Sequence, residues 1–302
     1  MPPSLTEALK ETVARLEGRC PSPRAEAEEL LGRLLGLGRA EVHLQGGRAL
    51  DPGPAETLAR WIERRLAGEP IQYITGRAAF RGLDLSVTRD VLVPRPETEV
   101  LVERVLDMLR SERGRWPVPR VLDLGTGSGA IALAIASEWP QAIVTATDAS
   151  AHALQVARGN AEALGLAGRV RFELGHWFDA VDADERFEVA VSNPPYVAAS
   201  EAESLPRDVR EHEPAAALFS GSTGLEALRE IAEAAPRHLV AGGLLALEVA
   251  ESRANEVLAW LEGAHDWEGV SLHEDLAGRP RVLLARRQRG PAIAPAQWSE
   301  DR

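Results

Sequence analysis

No stretch limits the fold of this chain more than Val121-Leu122-Asp123-Leu124, followed by Gly125-Thr126-Gly127-Ser128-Gly129 and then Ala130-Ile131-Ala132-Leu133-Ala134-Ile135. It reads as a strand, a glycine turn and an apolar helix, in which glycines at alternate positions let a ligand approach the backbone closely at a helix N-terminus. From residue 96 onward the same alternation continues. Strands are expected near 120–124, 142–147, 170–174, 187–192, 243–249, 269–274 and 281–286, most of them separated by helices. That order predicts an α/β domain with a seven-stranded, mostly parallel, doubly wound Rossmann-like sheet, whose ligands sit beyond the carboxyl ends of the strands.

The residues before it have a different texture. Ser4 and Glu7 have capping-box spacing ahead of Leu5, Leu9, Val13 and Leu16, and Ser22-Pro23 reads as an N-cap with proline at the first helical position. After the turn-rich break Gly46-Gly47 through Pro54, a further helix carries Leu58, Trp61, Ile62 and Leu66 and is closed by Gly68. These leucine stripes predict a small helical bundle and carry no chemistry. Leu83, Leu85 and Val87 then alternate with polar residues after Arg81-Gly82, the pattern of a β-hairpin. The expected organisation is a helical domain over 1–78, a hairpin linker over 79–95, the α/β domain over 96–288 and a flexible tail over 289–302.

Cys20 is the only cysteine among 302 residues, which excludes an internal disulfide and any zinc cluster built from thiolates. No metal is expected. With no apolar signal core and no long membrane-spanning run, a cytoplasmic protein without membrane contact is the expectation. The formal net charge of −12 weighs against a protein whose main task is to grip a phosphate backbone.

The glycine run is G-x-G-x-G rather than the G-x-G-x-x-G of dinucleotide enzymes, and no Walker lysine follows it. A cofactor with an adenosine ribose but no phosphate to cradle fits better, which points to S-adenosylmethionine. Asp148 ends the next strand, where a carboxylate can accept both ribose hydroxyls; it also stands where an N-cap would precede Ala149-Ser150-Ala151. Trp177 lies just past the third strand, placed to border an adenine, whereas Phe178 reads equally as a core aromatic.

Asn193-Pro194-Pro195-Tyr196 follows the strand ending at Ser192. Each proline pushes the residue before it out of the helical region, so the carbonyls of Asn193 and Pro194 project outward. A planar amino group can then donate one N–H to the Asn193 side-chain oxygen and the other to the Pro194 backbone oxygen, with Tyr196 against its face. A proline-stiffened turn is the plainer reading of the same four residues. As a clamp, the tetrapeptide admits adenine, guanine or glutamine. Two acceptors would orient the nitrogen and stabilise the charge that develops on it, and no strong general base is required.

Taken together, these motifs resemble the HemK/PrmC family of protein-(glutamine-N5) methyltransferases. The likeness runs through Gly68-Glu69-Pro70-Ile71-Gln72-Tyr73-Ile74-Thr75-Gly76, Val91 through Glu99, Asp123 through Gly129, Ser192 through Tyr196, Glu213-Pro214 with Ala217-Leu218, and Asp275 through Arg279. The resemblance implies a class I methyltransferase domain acting on the Gly-Gly-Gln loop of class 1 peptide chain release factors. It further implies that Gly125, Thr126, Gly127, Ser128, Gly129, Asp148, Trp177 and Asn193 bind or border S-adenosylmethionine. Asn193, Pro194, Pro195 and Tyr196 would hold the glutamine, with Asn193, Pro194 and Tyr196 as the catalytic set. Arg95 to Glu99 is expected either beneath the methionine end of the cofactor or the tetrapeptide, or at a domain junction. The chain departs from the family pattern at His176, at His212, and at Ala250 and Arg253. The competing reading is an N6-adenine or N2-guanine nucleic-acid methyltransferase using the same clamp. It would need a basic groove or a target-recognition domain, which the acidic balance disfavours.

Overall fold

The computed structural model describes residues 2–289. The expected tail therefore lies, from residue 290 onward, outside the described residues. The chain opens with helices Leu5–Leu16, Pro23–Leu35, Arg39–Leu44, Pro52–Leu66 and Ile71–Thr75. The capping box forms: the Glu7 amide donates to the Ser4 hydroxyl at 3.3 Å and the Ser4 amide donates to the Glu7 carboxylate at 2.7 Å. Ser22 occupies its N-cap position with Pro23 behind it but makes no side-chain cap bond. Leu5, Leu16, Leu30, Leu31, Leu58 and Ile62 close on one another as a core of their own.

Strands β1 (Arg77–Phe80) and β2 (Leu83–Ser86) form the hairpin. Arg81 and Gly82 both take positive φ, 45° and 75°, as a two-residue turn matching the strand twist requires. The non-glycine residue is held there by its side chain, which pairs with Glu103 and Glu138 while its amide donates to Glu99. On the other side, buried Asn160 accepts from the Ser86 amide at 2.7 Å and donates to the carbonyls of Ser86 and Ser128 at 3.0 and 2.9 Å. One side chain thus ties the hairpin to the glycine loop.

Glu69 joins the helical segment to the chain beyond the hairpin. Its carboxylate accepts from Arg64 at 2.7 and 2.9 Å and from Arg89 at 2.8 Å. Those bonds, Arg64 first, outweigh burial and hold the group down at about 2, against an ordinary 4.5. Because folding depresses this pKa, its stabilisation is complete above about 4.5 and is lost as the pH falls toward about 2. Glu69→Gln is accordingly expected to melt earlier than wild type near neutrality, with the gap closing between about pH 4.5 and 2 in a series of thermal melts.

The main sheet contains β3 (Arg120–Leu124), β4 (Ile143–Asp148), β5 (Val170–Leu174), β6 (Phe187–Ser192), β7 (Leu239–Glu248), β8 (Trp267–Glu274) and β9 (Pro280–Arg287), in the order β5-β4-β3-β6-β7-β9-β8. Strands β3 to β7 are parallel, and β9 inserts antiparallel between β7 and β8 because only a short turn, Asp275 to Arg279, separates it from β8. Successive residues face opposite layers. Val121, Val189, Val191, Leu244 and Ala246 meet helices Pro96–Ser111 and Ala130–Glu138. Leu122, Leu124, Ala190, Leu245 and Leu247 meet helices Glu226–His238 and Ala254–Glu262. Burial on both faces is what makes these strands nearly continuous apolar runs.

The hairpin begins at Arg77 rather than 79 and β8 at Trp267 rather than near 269, but the largest boundary difference is at β7. β7 begins at Leu239, not near 243, and runs through Gly242 at φ 72° and Gly243, where the register with β6 shifts. Glycines that read as a break form a bulge inside the strand.

Candidate active site

The chain order reverses at β3, which has β4 on one side and β6 on the other, so the carboxyl ends of these strands diverge and leave a crevice. A cavity of about 640 Å³ occupies it, within the range of small-molecule sites. Every expected cofactor residue except Gly129 lines it: Gly125, Thr126, Gly127, Ser128, Asp148, Trp177 and Asn193.

The glycine loop is shaped from below by Asp123, whose Oδ2 accepts from the Thr126 hydroxyl at 2.7 Å and the Ala132 amide at 3.1 Å. Complete burial pushes this carboxyl up to about 7. The Thr126 side chain is thereby turned inward, so its backbone is what faces the cavity. Gly125 has φ +71°, and a Cβ there would come within 3.1 Å of the Trp177 indole. Gly129 stands one step back. At φ +84° its missing Cβ makes room for Leu133 and Ala157, a packing role between helices.

Asp148 closes β4 with both oxygens engaged: Oδ2 accepts from the Gly127 amide at 2.9 Å and Oδ1 from the Ser150 amide at 2.8 Å. It is not the helix cap. That position belongs to Ser150, whose hydroxyl accepts from the Ala153 amide at 3.2 Å. Burial pushes the Asp148 carboxyl up, opposed by those two amides.

Trp177 lies at φ 43°, a left-handed conformation costly for a bulky residue, and its Nε1 donates to Glu230 at 3.2 Å. His176 reaches the same carboxylate at 2.9 Å and lies 5.2 Å from the indole. Phe178 turns the other way, into the core, stacked on His238 at 4.7 Å. Glu230 lines the cavity and was not anticipated; it arrives from the helix Glu226–His238, where its sequence context carries no signal.

The tetrapeptide leaves β6 with Asn193 and Pro195 on the cavity wall, Pro194 buried, and Tyr196 packed at the edge of the core. Asn193 Nδ2 donates to the Thr98 hydroxyl at 3.1 Å, and Thr98 donates to Glu248 at 2.7 Å. The Tyr196 hydroxyl reaches the other oxygen of Glu248 at 3.4 Å. Among the described residues, neither Asn193 Oδ1 nor the Pro194 carbonyl has a hydrogen-bond partner.

The Arg95 to Glu99 block divides its work. Thr98 lies under the tetrapeptide, whereas Arg95 pairs with buried Glu213 and Glu97 pairs with Arg279 at 3.2 Å, joining the block to the Glu213-Pro214 and Asp275 to Arg279 segments. Glu97→Ala should therefore leave cofactor affinity unchanged in a calorimetric titration while lowering the melting temperature, as loss of a junction contact would.

This sheet order, with a glycine loop, an acidic strand end and an Asn-Pro-Pro-Tyr at the crevice, defines a class I S-adenosylmethionine-dependent methyltransferase. Residues 7–76 match the family described as PrmC N-terminal domain and residues 98–208 the methyltransferase small domain. The release factor glutamine methyltransferase of Koribacter versatilis is 39% identical over 94% of this chain and 99% of its own length. That of Bordetella pertussis is 44% identical over 86% and 93%. The chain belongs to the release factor glutamine methyltransferase family. Among solved structures, the hMettl16 catalytic domain in complex with MAT2A 3′UTR hairpin 1 aligns over 82% of this chain and 85% of its own, with a TM-score of 0.53 at 16% identity, a likeness of fold alone.

Proposed function

We propose that this protein transfers the methyl group of S-adenosylmethionine to the side-chain amide nitrogen, N5, of the glutamine in the Gly-Gly-Gln loop of class 1 peptide chain release factors. The observation that carries the reading is the pair of free acceptors, Asn193 Oδ1 and the Pro194 carbonyl, beside a cavity with a glycine loop and an acidic strand end.

The residues present fit the cofactor. Gly125 keeps open the space that a Cβ would take against Trp177, Asp148 stands where ribose hydroxyls can be accepted, and no lysine follows the loop to demand a phosphate. When bound, S-adenosylmethionine supplies an electrophilic methyl group on a sulfonium.

The protein's part is to make a poor nucleophile competent. A glutamine nitrogen shares its lone pair with the adjacent carbonyl. Asn193 and Pro194, each accepting one N–H, direct the nitrogen at the methyl carbon and stabilise the positive charge that grows as it attacks. Such alignment is worth as much as roughly 7–11 kcal/mol in well-oriented systems. The proton leaves once the nitrogen is cationic, so no general base need act first. The helical segment is assigned to recognition of the release factor, and the reaction to the cytoplasm.

The test is direct. Incubation of the protein with cofactor and purified release factors, followed by peptide mass spectrometry, should place one methyl group on the Gly-Gly-Gln glutamine. Methyl found only on added DNA or RNA overturns the reading.

A further inference from the structure

We infer that Glu248 and Thr98 are positioning residues that decide which end of the Asn193 amide faces the substrate. The inference rests on the reading of Asn193 as the acceptor of a substrate N–H. An asparagine amide has two ends of similar size, and only the oxygen accepts. Size does not distinguish them, so the choice falls to the hydrogen-bonding neighbour, which among the described residues is Thr98.

A threonine hydroxyl has one proton to give. Here it goes to Glu248 Oε2 at 2.7 Å, the strongest acceptor in reach. Thr98 then offers Asn193 only lone pairs, and only Nδ2 can satisfy them, at 3.1 Å. Oδ1 is consequently left toward the cavity. Both members of the relay are buried, Thr98 at 4% and Glu248 at 1% exposure, so water does not compete for these bonds. Three elements supply them: Thr98 sits in the first turn of helix Pro96–Ser111, Glu248 ends β7, and Asn193 follows β6, whose Ser192 is in register with Leu247.

The arrangement is reversible by one proton. With Glu248 protonated, its O–H can donate to Thr98, the Thr98 proton turns to Asn193, and the amide is favoured with its oxygen inward and Nδ2 against the incoming N–H. Burial pushes the Glu248 carboxyl up to about 7. The Thr98 hydroxyl, Arg281 on β9 and the Tyr196 hydroxyl pull it down, and Glu97 on the helix raises it; the charge of Arg95 acts on Tyr196. The carboxylate is the active form, so turnover rises with pH.

Steady-state kinetics with cofactor and release factor test this across the neutral range. Wild type should show kcat falling on the acid side with an apparent pKa of about 7. Glu248→Gln, which does not titrate, should lose that limb and run at a plateau several-fold lower. Thr98→Val should lower kcat by about tenfold or more, with the cofactor KM within about threefold, and Thr98→Ser should restore most of it. The serine and valine variants keep the test available if Glu248→Gln fails to fold. A wild-type acid limb persisting in Glu248→Gln overturns the inference, as does wild-type kcat in Thr98→Val while Asn193→Ala is inactive. Normal turnover by Asn193→Ala would instead remove the clamp itself.

Discussion

Asn193→Ala is expected to lower methyl transfer to the release factor about 10²-fold, or ~2.7 kcal/mol of transition-state stabilisation, with a thermal melt close to wild type. The size reflects the interaction removed. In the proposed reaction Asn193 Oδ1 is a preorganised dipole aimed where positive charge develops, and groups of that kind are worth 10²–10³-fold in enzymes generally. The fold should be spared because Asn193 is only partly buried and, among the described residues, its side chain bonds only to Thr98, which keeps Glu248 as a partner. Single-turnover rates with saturating cofactor read the effect on chemistry directly, and a folded variant with near-normal turnover would end the clamp hypothesis. Asn193→Asp should be impaired as well: it retains an acceptor for the substrate but sets a carboxylate oxygen against a Thr98 hydroxyl whose proton is already committed.

Asp148→Ala is expected to weaken S-adenosylmethionine binding by about 10²-fold or more. Hydrogen bonds to a charged group contribute about 1.5–3 kcal/mol each, and two ribose hydroxyls bring the loss to ~3 kcal/mol at the least. The substitution also frees the amides of Gly127 and Ser150, which Asp148 holds at 2.9 and 2.8 Å, so the glycine loop loses its tie to the end of β4. Isothermal titration with the cofactor measures both losses as one Kd. A Kd within about threefold of wild type would mean that Asp148 only shapes the loop.

The two variants report on halves of the site that were unequally legible in the sequence. The glycine loop, Asp148 and Trp177 announce themselves because each stands directly after a strand, and a parallel sheet brings the carboxyl ends of its strands to one edge. Within the loop the sequence does not separate packing from exposure to the cavity. Gly129 gives space to Leu133 and Ala157 and the Thr126 hydroxyl donates to Asp123, yet both share the pattern of the residues that line the crevice. The clamp was visible as a tetrapeptide, but its setting was not. Glu248 ends an apolar strand and Thr98 sits in the first turn of a helix, with nothing local to connect them.

The succession of strands, the helical bundle, the glycine loop and the tetrapeptide were determined by the sequence alone. Each depends on patterns within a few residues: alternating apolar positions, glycine spacing, and proline's restriction of its own φ and its neighbour's conformation. Tertiary structure alone decided which way the Asn193 amide faces. That orientation depends on a hydroxyl 95 residues away and on a carboxylate 150 residues beyond it, brought together at the sheet's edge. A hydrogen bond takes its direction from where donor and acceptor stand in space, and separations of that length leave no period for a sequence to show.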